Sequence, residues 1–87
     1  SPIVEKTAEG DFIVAASATI DDANEFLPLP LTESDDYETV GGLIINTTGT
    51  IPEMYETIEL EDYICTIIKR SDRFIETVRL KARQREE

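Results

Sequence analysis

Histidine and tryptophan are absent from this 87-residue chain, and cysteine occurs once. Without His there is no Ser–His or Cys–His pair for nucleophilic catalysis, and the commonest zinc and copper ligand is gone. A lone Cys cannot close an internal disulfide, so stability has to come from packing. Cations are scarce too: eight stand against nineteen acids, a formal net charge of −11. Phosphate recognition needs clustered Lys and Arg, which argues against a nucleic-acid partner. No apolar run approaches the roughly 20 residues that span a bilayer, and no secretory apolar segment opens the chain, so this segment is not expected to insert directly into a membrane. The first residue is Ser rather than Met, as in an excised or processed chain.

What is present points to one small packed domain. Leu, Ile, Val and Phe make up 24 of the 87 residues, well above the roughly one-fifth below which a highly charged chain stays disordered. The charge is uneven. Residues 1–68 hold fifteen acids and only Lys6, a net −14, whereas residues 69–87 hold seven bases and four acids, a net +3. Such polarity steers a partner or holds the basic C-terminal segment against the acidic body. The plainer reading is a solvated surface whose signs segregate, since an exposed pair contributes only about 0–1 kcal/mol.

Along the chain the pattern is α+β. Residues 1–8 read as a polar lead-in, with Glu9-Gly10 a turn. Phe12-Ile13-Val14-Ala15 is a short apolar strand. Ile20, Ala23 and Phe26/Leu27 recur at helical spacing behind Thr19 or Asp21 as caps, and Pro28 and Pro30 stop that helix. Residues 32–38 form an acidic loop. From Thr39 to Gly49, β-branched residues and the Gly41-Gly42 pair argue for strand. The i, i+3, i+4 spacing of Val40, Leu43 and Ile44, a Thr39 cap and Gly49 at the end favour a helix, with the glycines allowing close approach to a sheet. Three antiparallel strands follow. Ile58 and Leu60 share one face of the first, Tyr63–Ile68 is apolar on both faces as if covered from both sides, and Phe74, Val78 and Leu80 alternate in the third. Residues 82–87 read as a frayed polar tail. The expected architecture is a C-terminal three-strand meander plus the N-terminal strand, packed with two short helices.

Candidate sites are few. Asp21, Asp22, Asp35 and Asp36 are weak metal candidates: oxygen ligands suit Mg²⁺ or Ca²⁺, but the EF-hand spacing is missing and a solvated acidic loop is the better reading. Cys65, between Ile64 and Thr66, reads as a small core residue. Gly41-Gly42 is not a phosphate cradle, because neither glycine-rich phosphate motif occurs and no Lys is near. The acids Glu33, Asp35, Asp36 and Glu38, and the basic residues Arg73, Arg79 and Lys81, are candidate docking faces.

The order of motifs resembles the transporter-associated domain of the CorC/HlyC family. Gly10 with Phe12-Ile13-Val14 is similar to that family's opening strand, and Ile20-Asp21-Asp22-Ala23-Asn24 to its first helix. Tyr37-x-Thr39-Val40-x-Gly42-Leu43 and Gly49-x-Ile51-Pro52 resemble the start and exit of its second helix, and Arg73-Phe74-Ile75-x-x-Val78-Arg79 its last strand. Departures are Ala16 where Gly is usual, Tyr55-Glu56 for Gly-Asp or Gly-Glu, and Asp62 for a turn Gly; these put turn geometry in question.

The resemblance covers residues 9–81 as one domain. It implies a cytoplasmic C-terminal module of an integral membrane protein, downstream of a transmembrane domain and a CBS (cystathionine-β-synthase-type) pair, in a family associated with magnesium and cobalt efflux or called hemolysins. The implied fold is related to the PCMH-like FAD-binding domain of some flavoenzymes, yet a shared fold does not carry a site, and no cofactor is expected from these residues. Three readings follow: a non-catalytic regulatory or interaction domain, a flavin or adenine-nucleotide binder by fold analogy, and an acidic divalent-cation sensor. An independent enzyme ranks last, for want of a nucleophile–base pair. The two-faced strand leaves a homodimer open if one face lacks a cover.

Overall fold

Alternating apolar and polar residues become strand, and the apolar sets all turn to one side. A computed structural model describes residues 2–84. In chain order its elements are β1 (Val4–Lys6), β2 (Phe12–Ala15), α1 (Ile20–Asn24), α2 (Val40–Thr48), β3 (Thr57–Leu60), β4 (Tyr63–Arg70) and β5 (Ile75–Ala82). The strands form a single antiparallel sheet in the order β1-β2-β5-β4-β3, so the last strand in sequence occupies the centre. Phe12 and Val14, Ile58 and Leu60, Tyr63, Cys65 and Ile67, and Val78 and Leu80 are buried together with Ile20 and Ala23 of α1 and Val40, Leu43 and Ile44 of α2. No polar or charged residue is buried among the described residues.

Both helices start from a tied-down backbone. Thr19 Oγ1 accepts from Asp22 N–H at 3.1 Å and Thr39 Oγ1 from Gly42 N–H at 3.0 Å, each satisfying a donor that a helix start leaves unpaired. Just ahead of them the two segments zip together: Ile20 N–H donates to the Glu38 carbonyl, Val40 N–H to Ala18 and Gly41 N–H to Ala16, at 3.0, 3.0 and 2.9 Å. This crossing explains Gly41, since a Cβ there would sit 3.3 Å from the Ala16 carbonyl oxygen. Gly49 ends α2 at φ +82°, in the left-handed region where a side chain is penalised.

The Pro-containing loop after α1 is pinned rather than loose. The Asn24 side chain clamps the Leu31 peptide, accepting from its N–H at 2.8 Å and donating to its carbonyl at 2.9 Å. The buried Tyr63 hydroxyl does the same for Leu29, donating to the carbonyl at 2.7 Å and accepting from the N–H at 3.0 Å. These clamps replace the last expected turn of the first helix, which stops at Asn24. Leu27 is buried, while Phe26 stays 59% exposed.

Four further features differ from the sequence reading. Residues 4–6, inside the span read as a lead-in, form an edge strand pairing Val4 with Val14. In β4 only Tyr63, Cys65 and Ile67 are buried; Ile64, Thr66 and Ile68 are half-buried on the other side, because both helices pack on the same face. The third meander strand begins at Ile75 rather than Phe74. Its register against β4 shifts twice, between Ile67 and Lys69 and again between Lys69 and Arg70, so Ile75 takes the core position and Phe74 is left 68% exposed. Finally, β5 runs through Ala82, and Arg83 N–H donates to the Asp62 carbonyl at 2.8 Å, so the start of the tail is tied to the sheet. The end of the tail, residues 85–87, lies outside the described residues.

Candidate functional site

The acidic loop is built on a carboxylate from a distant turn. Glu61, in the two-residue turn between β3 and β4, accepts from Thr32 N–H at 2.9 and 3.0 Å and from the Thr32 hydroxyl at 2.7 Å. Tyr37 then donates its hydroxyl to the Thr32 carbonyl at 2.6 Å, and Ser34 Oγ accepts from Asp36 N–H at 3.0 Å. Partial burial, with the negative charges of Glu61 and Asp36, holds the Tyr37 phenol above its usual range, so it stays a neutral donor. The loop borders a hollow of about 310 Å³ lined by Thr19, Asp21, Glu33, Tyr37 and Glu38 among others. Glu33, Asp35, Asp36 and Glu38 are all exposed, as are Asp21 and Asp22 in the first turn of α1. Thus Asp21 joins the loop acids around one hollow. Among the described residues, however, no three carboxylate or thiol side chains gather as a metal site would require.

The basic candidates divide between two places. Arg73 and the exposed Phe74 stand at the rim of a groove of about 590 Å³, whose floor includes Ala16, Gly41, Gly42 and Ile45. This groove lies where α2 starts beside the beginning of β5. Arg79 and Lys81, with their buried neighbours Val78 and Leu80 turned to the core, project from the face of the sheet that carries no helix. Arg79 donates to Asp11 Oδ2 at 2.8 Å and pairs with Glu9 at 3.3 Å. The Asp11 hydrogen bond chiefly raises the guanidinium's already high pKa, so the cation is permanent. The basic strand is therefore anchored by Glu9 and Asp11, not by the acids of the 33–38 loop. Lys81 lies in register with Ile64, beside a shallow hollow of about 500 Å³.

Cys65 is fully buried between core neighbours, and burial pushes its thiol up to about 12. Such a thiol is protonated at neutral pH and is not a nucleophile. The groove glycines serve packing: a Cβ on Gly42 would come within 3.0 Å of Tyr37 Cβ. One feature escaped sequence reading, and a second was read only as a turn of doubtful geometry. The Glu61 clamp acts on a residue 29 positions away, and nothing local in the sequence announces it. The other is the loop carrying Met54 and Tyr55, 39% and 71% exposed, with Tyr55 at φ +66°. Its signal was visible as an aromatic standing where a turn calls for Gly.

No helix among the described residues is long and apolar enough to cross a membrane. The chain is 30% identical over 78 residues to Hemolysin C of Brachyspira hyodysenteriae, covering 90% of this chain and 29% of that protein. It therefore spans less than a third of this relative's length. Among solved structures, a CorC_HlyC transporter associated domain from Nitrosomonas europaea aligns with a TM-score of 0.83 at 25% identity, covering 95% of this chain and 99% of that one. A CorC_HlyC domain of a Xylella fastidiosa hemolysin, solved in complex with Mg²⁺ and Mn²⁺, aligns at 0.80 with 19% identity, covering 95% of this chain and all of the other. The family model for the transporter associated domain, CorC_HlyC, matches residues 5–84, and with almost the whole chain inside that match the protein belongs to this family.

Proposed function

We propose that this chain is a non-catalytic regulatory module on the cytoplasmic face of a longer CBS-pair membrane protein linked to Mg²⁺ or Co²⁺ efflux. It would act by docking differently onto the rest of that protein in each transport state. The observation that carries this reading is the family match over residues 5–84. The chemistry of the side chains supports it: the one thiol is buried and protonated, while the charged groups of the described residues lie at the surface.

A docking module shifts a conformational equilibrium only by its difference in affinity for the two states. The exposed acids Glu33, Asp35, Asp36 and Glu38, stiffened by the Glu61–Thr32 clamp, form one docking face. Arg73 at the groove, and Arg79 and Lys81 on the helix-free face of the sheet, supply two separate basic faces. A partner within the same polypeptide is favoured over a homodimer, since two copies each carrying −11 repel one another. The acidic surface also raises the local concentration of divalent cations without holding any in a fixed site.

Deleting residues 1–87 from the parent protein and measuring Mg²⁺ and Co²⁺ efflux tests the reading. Efflux, or its response to effectors, should change while the amount of protein in the membrane does not. Unchanged transport with an unchanged effector response would overturn the regulatory role.

A further inference from the structure

Two non-glycine residues among those described adopt positive φ, Glu61 at 58° and Tyr55 at 66°. An L-residue in that region is strained by a clash between its Cβ and the following carbonyl. For Glu61 the strain is offset, because its carboxylate accepts three hydrogen bonds from Thr32 and its carbonyl accepts from Arg83 at 3.1 Å. Tyr55 has no such compensation: its side chain makes no hydrogen bond and is 71% exposed. The backbone fixes the strain in place. Tyr55 N–H donates to the Ile67 carbonyl at 2.7 Å, Ile67 N–H to Glu56 at 3.1 Å and Glu56 N–H to Glu53 at 3.1 Å. Tyr55 is thus the third residue of a tight turn, a position with positive φ that suits Gly.

The surroundings of this aromatic are acidic. Residues 51–68 hold five acids and no cation. Glu53, whose side chain is 88% exposed, flanks the turn, and Glu56 closes it. The nearby Arg70 donates to the Pro52 carbonyl at 2.6 Å and lies 3.9 Å from Glu53 Oε2, a loose pair that leaves most of the exposed Glu53 carboxylate open to solvent. An exposed phenol ring in an acidic turn, with the flexible Met54 beside it, suits a guanidinium or ammonium that stacks on the ring and pairs with an acid.

We propose that the 53–56 turn is an interaction knob in which Tyr55 and Met54, flanked by Glu53 and Glu56, receive an Arg- or Lys-bearing segment of the parent polypeptide. The proposal rests on the docking reading above, and the parent is favoured as the source for two reasons. This chain spans 29% of its Hemolysin C relative, so most of such a polypeptide lies outside it. A second copy would bring another net charge of −11 to an acidic turn.

The test places a photoreactive benzophenone amino acid at Met54 in the full-length parent, with and without Tyr55→Gly, and maps the cross-links by mass spectrometry. With Tyr55 intact, the cross-link falls within the same polypeptide, on a peptide that carries Arg or Lys. Tyr55→Gly lowers its yield by about tenfold or more, as removal of an aromatic anchor does. In the isolated domain the same substitution relieves the strain and raises Tm by about 4 °C. Tyr55→Phe keeps the cross-link, since stacking does not need the hydroxyl. Cross-links to a second copy or to another protein, no cross-link at all, a yield indifferent to Tyr55→Gly, or a lower Tm would each overturn the proposal. The cross-link reports docking whether or not domain deletion alters transport, so the two readings fail separately.

Discussion

Tyr63 and Cys65 sit two positions apart on the buried face of β4, and they show how differently polar atoms are handled in one core. The Tyr63 hydroxyl is doubly used, bridging the N–H and carbonyl of Leu29 from 34 residues away. Tyr63→Phe keeps the ring but strands both backbone groups, so it should destabilise by about 1–3 kcal/mol in urea unfolding, with little change in m-value. Cys65 has no such partner, and burial alone lifts its thiol from an ordinary value near 9.0 to about 12. The sign follows from proton counting. Between those two values the unfolded chain releases a proton that the folded chain retains, so stability falls as pH rises through that window. The limiting slope is about 1.4 kcal/mol per pH unit. Cys65→Ala cannot show this loss. The stability advantage of the native protein over Cys65→Ala should therefore narrow by roughly 1 kcal/mol between pH 8 and pH 10. A constant gap would mean that the thiol is hydrated in the folded state.

Element α2 was legible from the sequence because several signals agreed there. The i, i+3, i+4 apolar spacing, a Thr cap and a terminal Gly outweighed β-branching and two glycines, and the glycines are explained by close approach to Ala16 and Tyr37. Its cap is testable: Thr39→Ala removes the acceptor for Gly42 N–H and should cost about 0.5–2 kcal/mol. Thr19→Ala at the five-residue α1 should cost less, since its cap lies exposed and the Asn24 and Tyr63 clamps hold the following loop regardless. Equal losses would mean that the two caps serve the same structural purpose. Strand β5 was read less well for a physical reason. Alternation counted from Phe74 assumes an unbroken ladder, whereas the register shift beside Lys69 moves the inward position to Ile75. A bulge depends on how two strands fit each other, and no local pattern in either strand records it. The candidate site followed the same division. The exposed acids and bases were identifiable by type and position. The Glu61 clamp that shapes the acidic loop, and the Asp11 and Glu9 partners of Arg79, are long-range and emerged only with the fold.

At the scale of the whole molecule, the position of β5 decides how the chain holds together. Four of the five strands among the described residues form two local hairpins, β1 with β2 and β3 with β4, and the final strand is the piece that joins them by pairing with β2 on one side and β4 on the other. Arg79 reinforces that join: it lies opposite Ile13 of β2 and reaches Asp11 just before the same strand. Val78 and Leu80 of β5 are fully buried in the centre of the core. A chain ending at residue 74 would retain both hairpins and both helices in sequence, but an isolated two-stranded hairpin is at best marginally stable in water. It would also expose Val14, Cys65 and Ile67, which pack around the missing strand. Truncation after residue 74 should therefore abolish cooperative unfolding in urea and collapse amide dispersion in a nitrogen–proton NMR spectrum, rather than merely lower the midpoint. A dispersed spectrum with a sharp transition would mean that the hairpins are stabilised by the helices alone and that β5 is an addition to a fold already complete. Because β2 and β5 are separated by most of the sequence, their pairing also closes the longest loop of any strand pairing in the described sheet and carries the largest closure entropy.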